Sequence, residues 1–100
     1  MINISVSPLI FNVCPHFAFS AIQCKVKNTP HSEELRQEIT AFSEKFASET
    51  ALSEINKLPN IFETREAYKK LGKDPNRYRP SAEALCRRIV RGIPLYQIDT

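Results

Sequence analysis

The sequence predicts an α+β fold, with a mixed β-sheet packed against three to four helices. Alternating apolar residues near the start indicate strands, and apolar residues at helical spacing indicate helices from Leu35 onward. Only two glycines are present, too few for an all-β chain with many tight turns, and the seven prolines lie mostly between periodic segments. With 100 residues and 42% hydrophobic content, the chain can bury one core, so residues 1–100 are expected to be a single domain or part of one.

Two strands are predicted in the first quarter. Residues 2–6 alternate apolar and polar side chains, which is typical of a half-buried strand, and a proline follows. Residues 9–13 are too few to decide between a helical turn and a connecting loop. Residues 17–26 alternate again but change phase at Ile22, as expected of a strand that is bulged or buried on both faces.

Two helices are predicted between residues 29 and 58. Residues 29–32 resemble a helix entry, and Glu33 and Glu34 in the first turn complement the helix dipole. Residues 49–58 suit a short second helix that Pro59 ends. The first helix is expected to bury a stripe of side chains at helical spacing: Leu35, Ile39, Phe42 and Phe46.

Two more helices and an extended segment complete the prediction. Asn60 and Glu63 match a reciprocal N-terminal cap, and Gly72 sits where helices exit into left-handed geometry. A proline–serine pair opens the final helix, over residues 80–92. Residues 95–98 resemble the start of another extended segment.

Positive charge is concentrated near the end of the chain. Residues 77–91 contain five arginines and one glutamate, a net charge of +4, while the whole chain carries +3. On the final helix the apolar residues share one side, and three of the arginines share the other. Guanidinium groups bind phosphate well, and Tyr78 can stack on a base. The predicted nucleic-acid-binding residues are Arg77, Arg79, Arg87, Arg88 and Arg91.

A simpler interpretation of these arginines stays open. Arginines in a last helical turn interact favourably with the helix dipole, and Glu83 precedes Arg87 by four residues, the favourable order for an ion pair. The arginine face is then only solvated, and the protein is a small non-enzymatic interaction or structural module.

Other residues do not form a recognisable chemical site. Cys14, His16 and Cys24 lack the paired spacing and the fourth ligand of a zinc site, so no metal is predicted. The sequence contains no phosphate-binding glycine loop or hydrolase motif, so neither a catalytic residue nor a cofactor is predicted. An odd number of cysteines points to a reducing, cytoplasmic environment, and no apolar run is long enough to span a membrane.

The residue order at the end of the chain resembles a known family. Residues 79–88, RPSAEALCRR, followed by GIPLYQI at 92–98 and preceded by YKKLG at 68–72, are similar to the B3/B4 domain. That domain occurs in the β subunit of bacterial phenylalanyl-tRNA synthetase and in free-standing relatives. Family members continue past the position of Thr100, so the chain resembles the N-terminal half of such a domain.

The resemblance implies a function related to tRNA binding and to hydrolytic editing of mischarged tRNA. Much of the family's editing pocket lies in the later half, so this chain is expected to be inactive by itself, and no catalytic residue carries over. Ser81 and Glu83, with Arg79 and Arg88, carry over as elements that shape the helix entry. The expected partners are tRNA or aminoacyl-tRNA, and unpaired strand edges are expected to cause self-association.

Overall fold

The chain is helical where its structure is described. The computed structural model describes residues 2–95, of which 54% are helical and none are in a strand. The elements are α1 (Pro8–Val13), α2 (Glu33–Glu49), a 3₁₀ helix (Leu52–Lys57), α3 (Pro59–Lys70) and α4 (Ser81–Val90). The predicted α+β fold with a mixed β-sheet is therefore wrong.

The predicted strands fail because no other backbone within residues 2–95 pairs with them. Residues 2–6 and 17–26 are irregular, and they meet where the backbone N–H of Ile2 donates to the side-chain Oε1 of Gln23 at 2.9 Å. An alternating pattern shows which side chains can share a face, whereas a strand also needs a neighbouring backbone to satisfy its polar groups. Of the extended segment predicted at 95–98, residues 96–98 lie outside the described part of the chain.

The ambiguous segment at residues 9–13 is helical. Ser7 caps α1 by accepting a hydrogen bond from the backbone N–H of Leu9 at 3.3 Å, and Pro8 occupies the first helical position. A proline is favoured at the first helical position because an N–H at that position would have no acceptor within the helix, so nothing is lost when proline lacks it.

Helix α2 begins as predicted but buries less of its apolar stripe than expected. Ser32 accepts a hydrogen bond from the backbone N–H of Leu35 at 3.3 Å, and two glutamates lie in the first turn. Ile39 and Phe46 are partly buried, whereas Phe42 is 66% exposed and stacks on Phe46 with ring centroids 6.5 Å apart. One side of α2 therefore stays uncovered.

The predicted short helix at 49–58 is a 3₁₀ helix that carries the most buried apolar side chain, Ile55. Pro59, which was predicted to end this helix, is the first residue of α3. No side chain caps the N-terminus of α3. The predicted cap formed by Asn60 and Glu63 is therefore wrong. The helix starts two residues earlier than that pattern implies, with a proline at its first position, where proline is favoured.

Both glycines end helices, as the sequence predicts. Gly72 has a φ of +80° and follows α3, where the backbone N–H of Lys73 donates to the carbonyl of Tyr68 at 2.9 Å. Gly92 has a φ of +75° and follows α4 in the same way. A residue with a side chain is strained in this left-handed geometry, so glycine suits both positions.

The 3₁₀ helix joins the helices that hold the candidate site. It packs against both α3 and α4, and α2 also packs against α4. Among the described residues, the buried hydrophobic side chains are Ile55 and Ile61. The described helices include none with the length and apolar composition needed to cross a membrane.

Replacing Ile55 with alanine tests whether the 3₁₀ helix is the centre of packing. Because Ile55 is fully buried, the Ile55→Ala substitution should lower the free energy of unfolding by about 2–5 kcal/mol. Urea denaturation followed by circular dichroism measures the change. Leu52→Ala in the same 3₁₀ helix is the control, since Leu52 is 36% exposed; equal losses in the two variants would contradict this packing.

Candidate functional site

A buried carboxylate lies in the first turn of α4. The Glu83 side chain has no solvent exposure, and the first turn of a helix favours negative charge. Arg65 reaches it from α3, with Nη1 donating to Oε1 at 3.0 Å and to Oε2 at 2.9 Å. Arg87 donates from the next turn of α4, with Nε 3.1 Å from Oε1. Two guanidinium groups therefore hold one carboxylate.

The loop between α3 and α4 is tied to the same arginine. Nη2 of Arg65 donates to the side-chain oxygen of Asn76 at 2.6 Å, and Nη1 lies 3.4 Å from the carbonyl oxygen of Pro75. Asn76 is held in turn by Asp74, whose carboxylate accepts its backbone N–H at 2.9 Å. We call Glu83, Arg65, Arg87 and Asn76 the Glu83 cluster. It connects α3, the loop and α4.

The arginines keep Glu83 ionised. Burial alone raises the pKa of this carboxyl, but the hydrogen bonds and positive charges of Arg65 and Arg87 outweigh burial and lower the pKa below its ordinary value. A third guanidinium is close, with Nε of Arg79 3.8 Å from Glu83 Oε1. Three cations around one anion leave an excess of positive charge, because Glu83 neutralises only one of them.

The five predicted nucleic-acid-binding arginines have different environments. Arg87 is only 18% exposed and is paired with Glu83, whereas Arg79 is 41% exposed. Arg88 is partly buried, and its Nε donates to the carbonyl oxygen of Pro94. Arg77 and Arg91 are exposed. The set therefore divides into two partly buried arginines and three exposed ones, of which Arg79 also lies within ion-pair distance of Glu83.

An exposed aromatic ring lies beside the accessible arginines. Tyr78 is 48% exposed, with Nζ of Lys73 5.1 Å and the guanidinium carbon of Arg77 5.3 Å from its ring centroid. Both distances lie in the range of cation–π attraction. We call Lys73, Arg77, Tyr78 and Arg79 the loop surface.

The sequence analysis missed Arg65 and the burial of Glu83, although the predicted packed residues Cys86, Ile89 and Val90 of α4 are partly buried. Leu85, predicted on the packed side, is 44% exposed, while Glu83 is fully buried. A signal was present on α3, where Arg65 follows the buried Ile61 by four residues and therefore shares its face. A buried arginine requires a carboxylate partner, and Glu83 supplies it.

The cysteines do not gather into a site. Within residues 2–95, no group of three or more histidine, cysteine or acidic side chains is placed to hold a metal, so Cys14, His16 and Cys24 are not brought together. Burial raises the pKa of the Cys86 thiol, and the charge of Glu83 raises it further. Cys86 is thus a poor nucleophile at neutral pH, because the thiolate is the reactive form.

Neutralising Glu83 should destabilise the fold. In Glu83→Gln, the positive charges of Arg65 and Arg87 lose their buried counter-ion, and such a loss costs about 3–5 kcal/mol. Chemical denaturation measures the free energy of unfolding. Glu63→Gln, an exposed position on α3, is the matched control and should change it by less than about 0.5 kcal/mol.

The contribution of Glu83 should also depend on pH. Because its pKa is lower in the folded state, its stabilisation is present above the unfolded-state pKa of about 4.3 and is lost as the pH falls through the folded-state pKa. The difference in unfolding free energy between the native chain and Glu83→Gln should therefore shrink between neutral and strongly acidic pH. Urea titrations across that range measure it, and a constant difference would contradict an ionised, paired Glu83.

Comparisons with known proteins leave the family open. No protein-family model matches the chain, and neither the curated proteins nor the solved structures include a match. The resemblance of residues 68–98 to the B3/B4 domain therefore stays a prediction from the sequence.

Proposed function

We propose that this protein binds RNA, with tRNA as the expected partner, through phosphate contacts from its accessible arginines. The main support for the proposal is that some arginines of this region are buried in the fold while others are exposed. Arg65 and Arg87 are held inside the fold, while Arg77, Arg79 and Arg91 carry charge at the surface. Phosphate diesters are anions that exposed guanidinium groups bind well, through bidentate hydrogen bonds and charge.

The distribution of charge supports this proposal. Between Pro59 and Leu95 the chain has nine lysines and arginines and four acidic residues, a net charge of +5, although the whole chain carries only +3. The remainder is therefore net negative, and an RNA backbone would be attracted to the α3–α4 side of the molecule.

The loop surface adds a contact for a base. Tyr78 lies between Arg77 and Arg79 in the sequence and is half exposed. Aromatic side chains next to cations are a common platform for unpaired bases. Arg65 of α3 donates to Asn76 and to the carbonyl oxygen of Pro75, so the residues directly before Arg77 are anchored to α3.

Binding, and not hydrolysis, is the proposed activity. The B3/B4 resemblance offers no catalytic residue for this chain, and the carried-over Glu83 is buried between arginines in an ionised state. Such a carboxylate is a weak base, because its pKa is low and its oxygens already accept hydrogen bonds.

A protein-interaction module is the second candidate. The ion pair between Arg87 and Glu83 favours this candidate, because Arg87 then stabilises the fold and does not contact a nucleic acid. Exposed apolar side chains such as Phe42 also favour it. Within residues 2–95, no strand supports the self-association through strand edges that the sequence predicts.

RNA binding can be tested with a triple substitution of accessible arginines. Arg77→Gln, Arg79→Gln and Arg91→Gln together should remove about three phosphate contacts, so the slope of log affinity against log salt should become shallower by about 2–3. Filter binding or fluorescence anisotropy with unmodified tRNA measures this. The native chain should lose about 20-fold or more in affinity between about 50 and 200 mM salt.

A matched control separates specific contacts from net charge. Arg36→Gln, Lys45→Gln and Lys57→Gln remove the same three charges from exposed positions outside residues 59–95 and should leave most of the affinity intact. Equal losses in the two triple variants would show only a general charge effect. Absence of tRNA binding by the native chain at low salt would reject the proposal in favour of the interaction module.

A further inference from the structure

The chain leaves more surface exposed than a compact protein of its mass. It exposes 8451 Å², whereas a folded monomer of 11.4 kDa is expected to expose about 5,800 Å². Its radius of gyration is 16.8 Å, compared with about 13 Å for a compact chain of 100 residues. The excess surface of about 2,700 Å² is well above the roughly 1,000 Å² that each partner buries in a stable homodimer.

Much of this surface is apolar and lies in the first quarter of the chain. Eight of the sixteen exposed large hydrophobic side chains among the described residues fall between residues 2 and 26. Three of them form a row of rings, with the centroid of Phe17 6.3 Å from that of Phe11 and 6.2 Å from that of Phe19. We call this row, together with the 89% exposed Ile22, the N-terminal surface. Exposed apolar surface of this kind is typical of an interaction site.

A second uncovered apolar surface lies on α2. Leu35 and Phe42 are exposed and seven residues apart, so they share one side of the helix. Glu38 and Glu49 fall on that same side, three residues after Leu35 and seven after Phe42. We call these four residues the α2 surface.

The chain segments that contain the two surfaces carry opposite net charge. Residues 2–30 contain two lysines, Lys25 and Lys27, and no acidic residue, a net charge of +2. Helix α2 contains five glutamates and two basic residues, a net charge of −3. Within one copy the N-terminal surface lies beside α3, where Phe17 and Phe62 line one cavity, while α2 packs on α4.

We propose that this protein forms a closed homodimer in which the N-terminal surface of each copy covers the α2 surface of the other. Each surface exposes apolar side chains that a second copy can bury. The segments that contain the two surfaces have opposite net charges, so they attract each other. A twofold axis makes both contacts at once, so no surface is left to recruit a third copy. The inference does not depend on RNA binding, since it uses none of the accessible arginines.

Serine substitutions at the ring positions test the contact. Phe19→Ser and Phe42→Ser replace exposed side chains, one on each surface, and each should weaken dimerisation at least about tenfold if its ring is a central contact. Sedimentation velocity from micromolar to millimolar concentration measures the dimer, and circular dichroism confirms that the helices persist. Leu71→Ser, an exposed apolar position outside both surfaces, is the control and should dimerise as the native chain does.

Charge reversal tests the pairing of the two surfaces. Lys25→Glu with Lys27→Glu gives both surfaces negative charge, and Glu38→Lys with Glu49→Lys gives both positive charge, so each variant alone should be monomeric. Mixed together, the two variants should form a heterodimer, because both of its contacts then join opposite charges.

Three results would overturn the proposal. The first is a native chain that is monomeric at millimolar concentration, and the second is a series of larger oligomers in place of a dimer. The third is a mixture of the charge-reversed variants that fails to associate. The tRNA-binding measurement on the native chain tests a separate proposal. Rejection of the homodimer would not reject RNA binding, and rejection of RNA binding would not reject the homodimer.

Discussion

The ion pair between Glu83 and its arginines is the interaction on which the described structure depends. A carboxylate with no solvent exposure is costly to bury, and the cost is offset only when charged donors satisfy its oxygens. Arg65 supplies two of those hydrogen bonds from another helix, so α3 and α4 must keep one relative position. Few buried apolar side chains are present among residues 2–95, which makes this polar contact a large share of what fixes the arrangement.

The cluster also explains why charge alone is a poor guide to function here. The sequence does not distinguish the five arginines between residues 77 and 91. In the structure, Arg87 forms an ion pair with Glu83, and Arg88 donates a hydrogen bond to the carbonyl oxygen of Pro94. Their role is to hold backbone and side chains in place. Arg77, Arg79 and Arg91 are exposed, so their charge is accessible at the surface.

The sequence predicted the parts of the fold that depend on neighbouring residues. Four of the helices lie where periodicity, prolines and glycines placed them, with left-handed geometry at Gly72 and Gly92. The strands were wrong because pairing depends on distant backbone, which alternation does not encode. The Arg65–Glu83 contact spans 18 residues and was missed for the same reason, although the i, i+4 pairing of Glu83 with Arg87 was visible in the sequence.

The short sequence separation of these contacts has a consequence for the order of folding. Closing the 18-residue segment between Arg65 and Glu83 costs little chain entropy, and the 3₁₀ helix that packs on both helices directly precedes α3. Local contacts of this kind form early, before contacts between distant segments. Residues 52–95 can therefore assemble as a folding nucleus, onto which α2 docks through α4. The first quarter of the chain, with few such contacts, would order last.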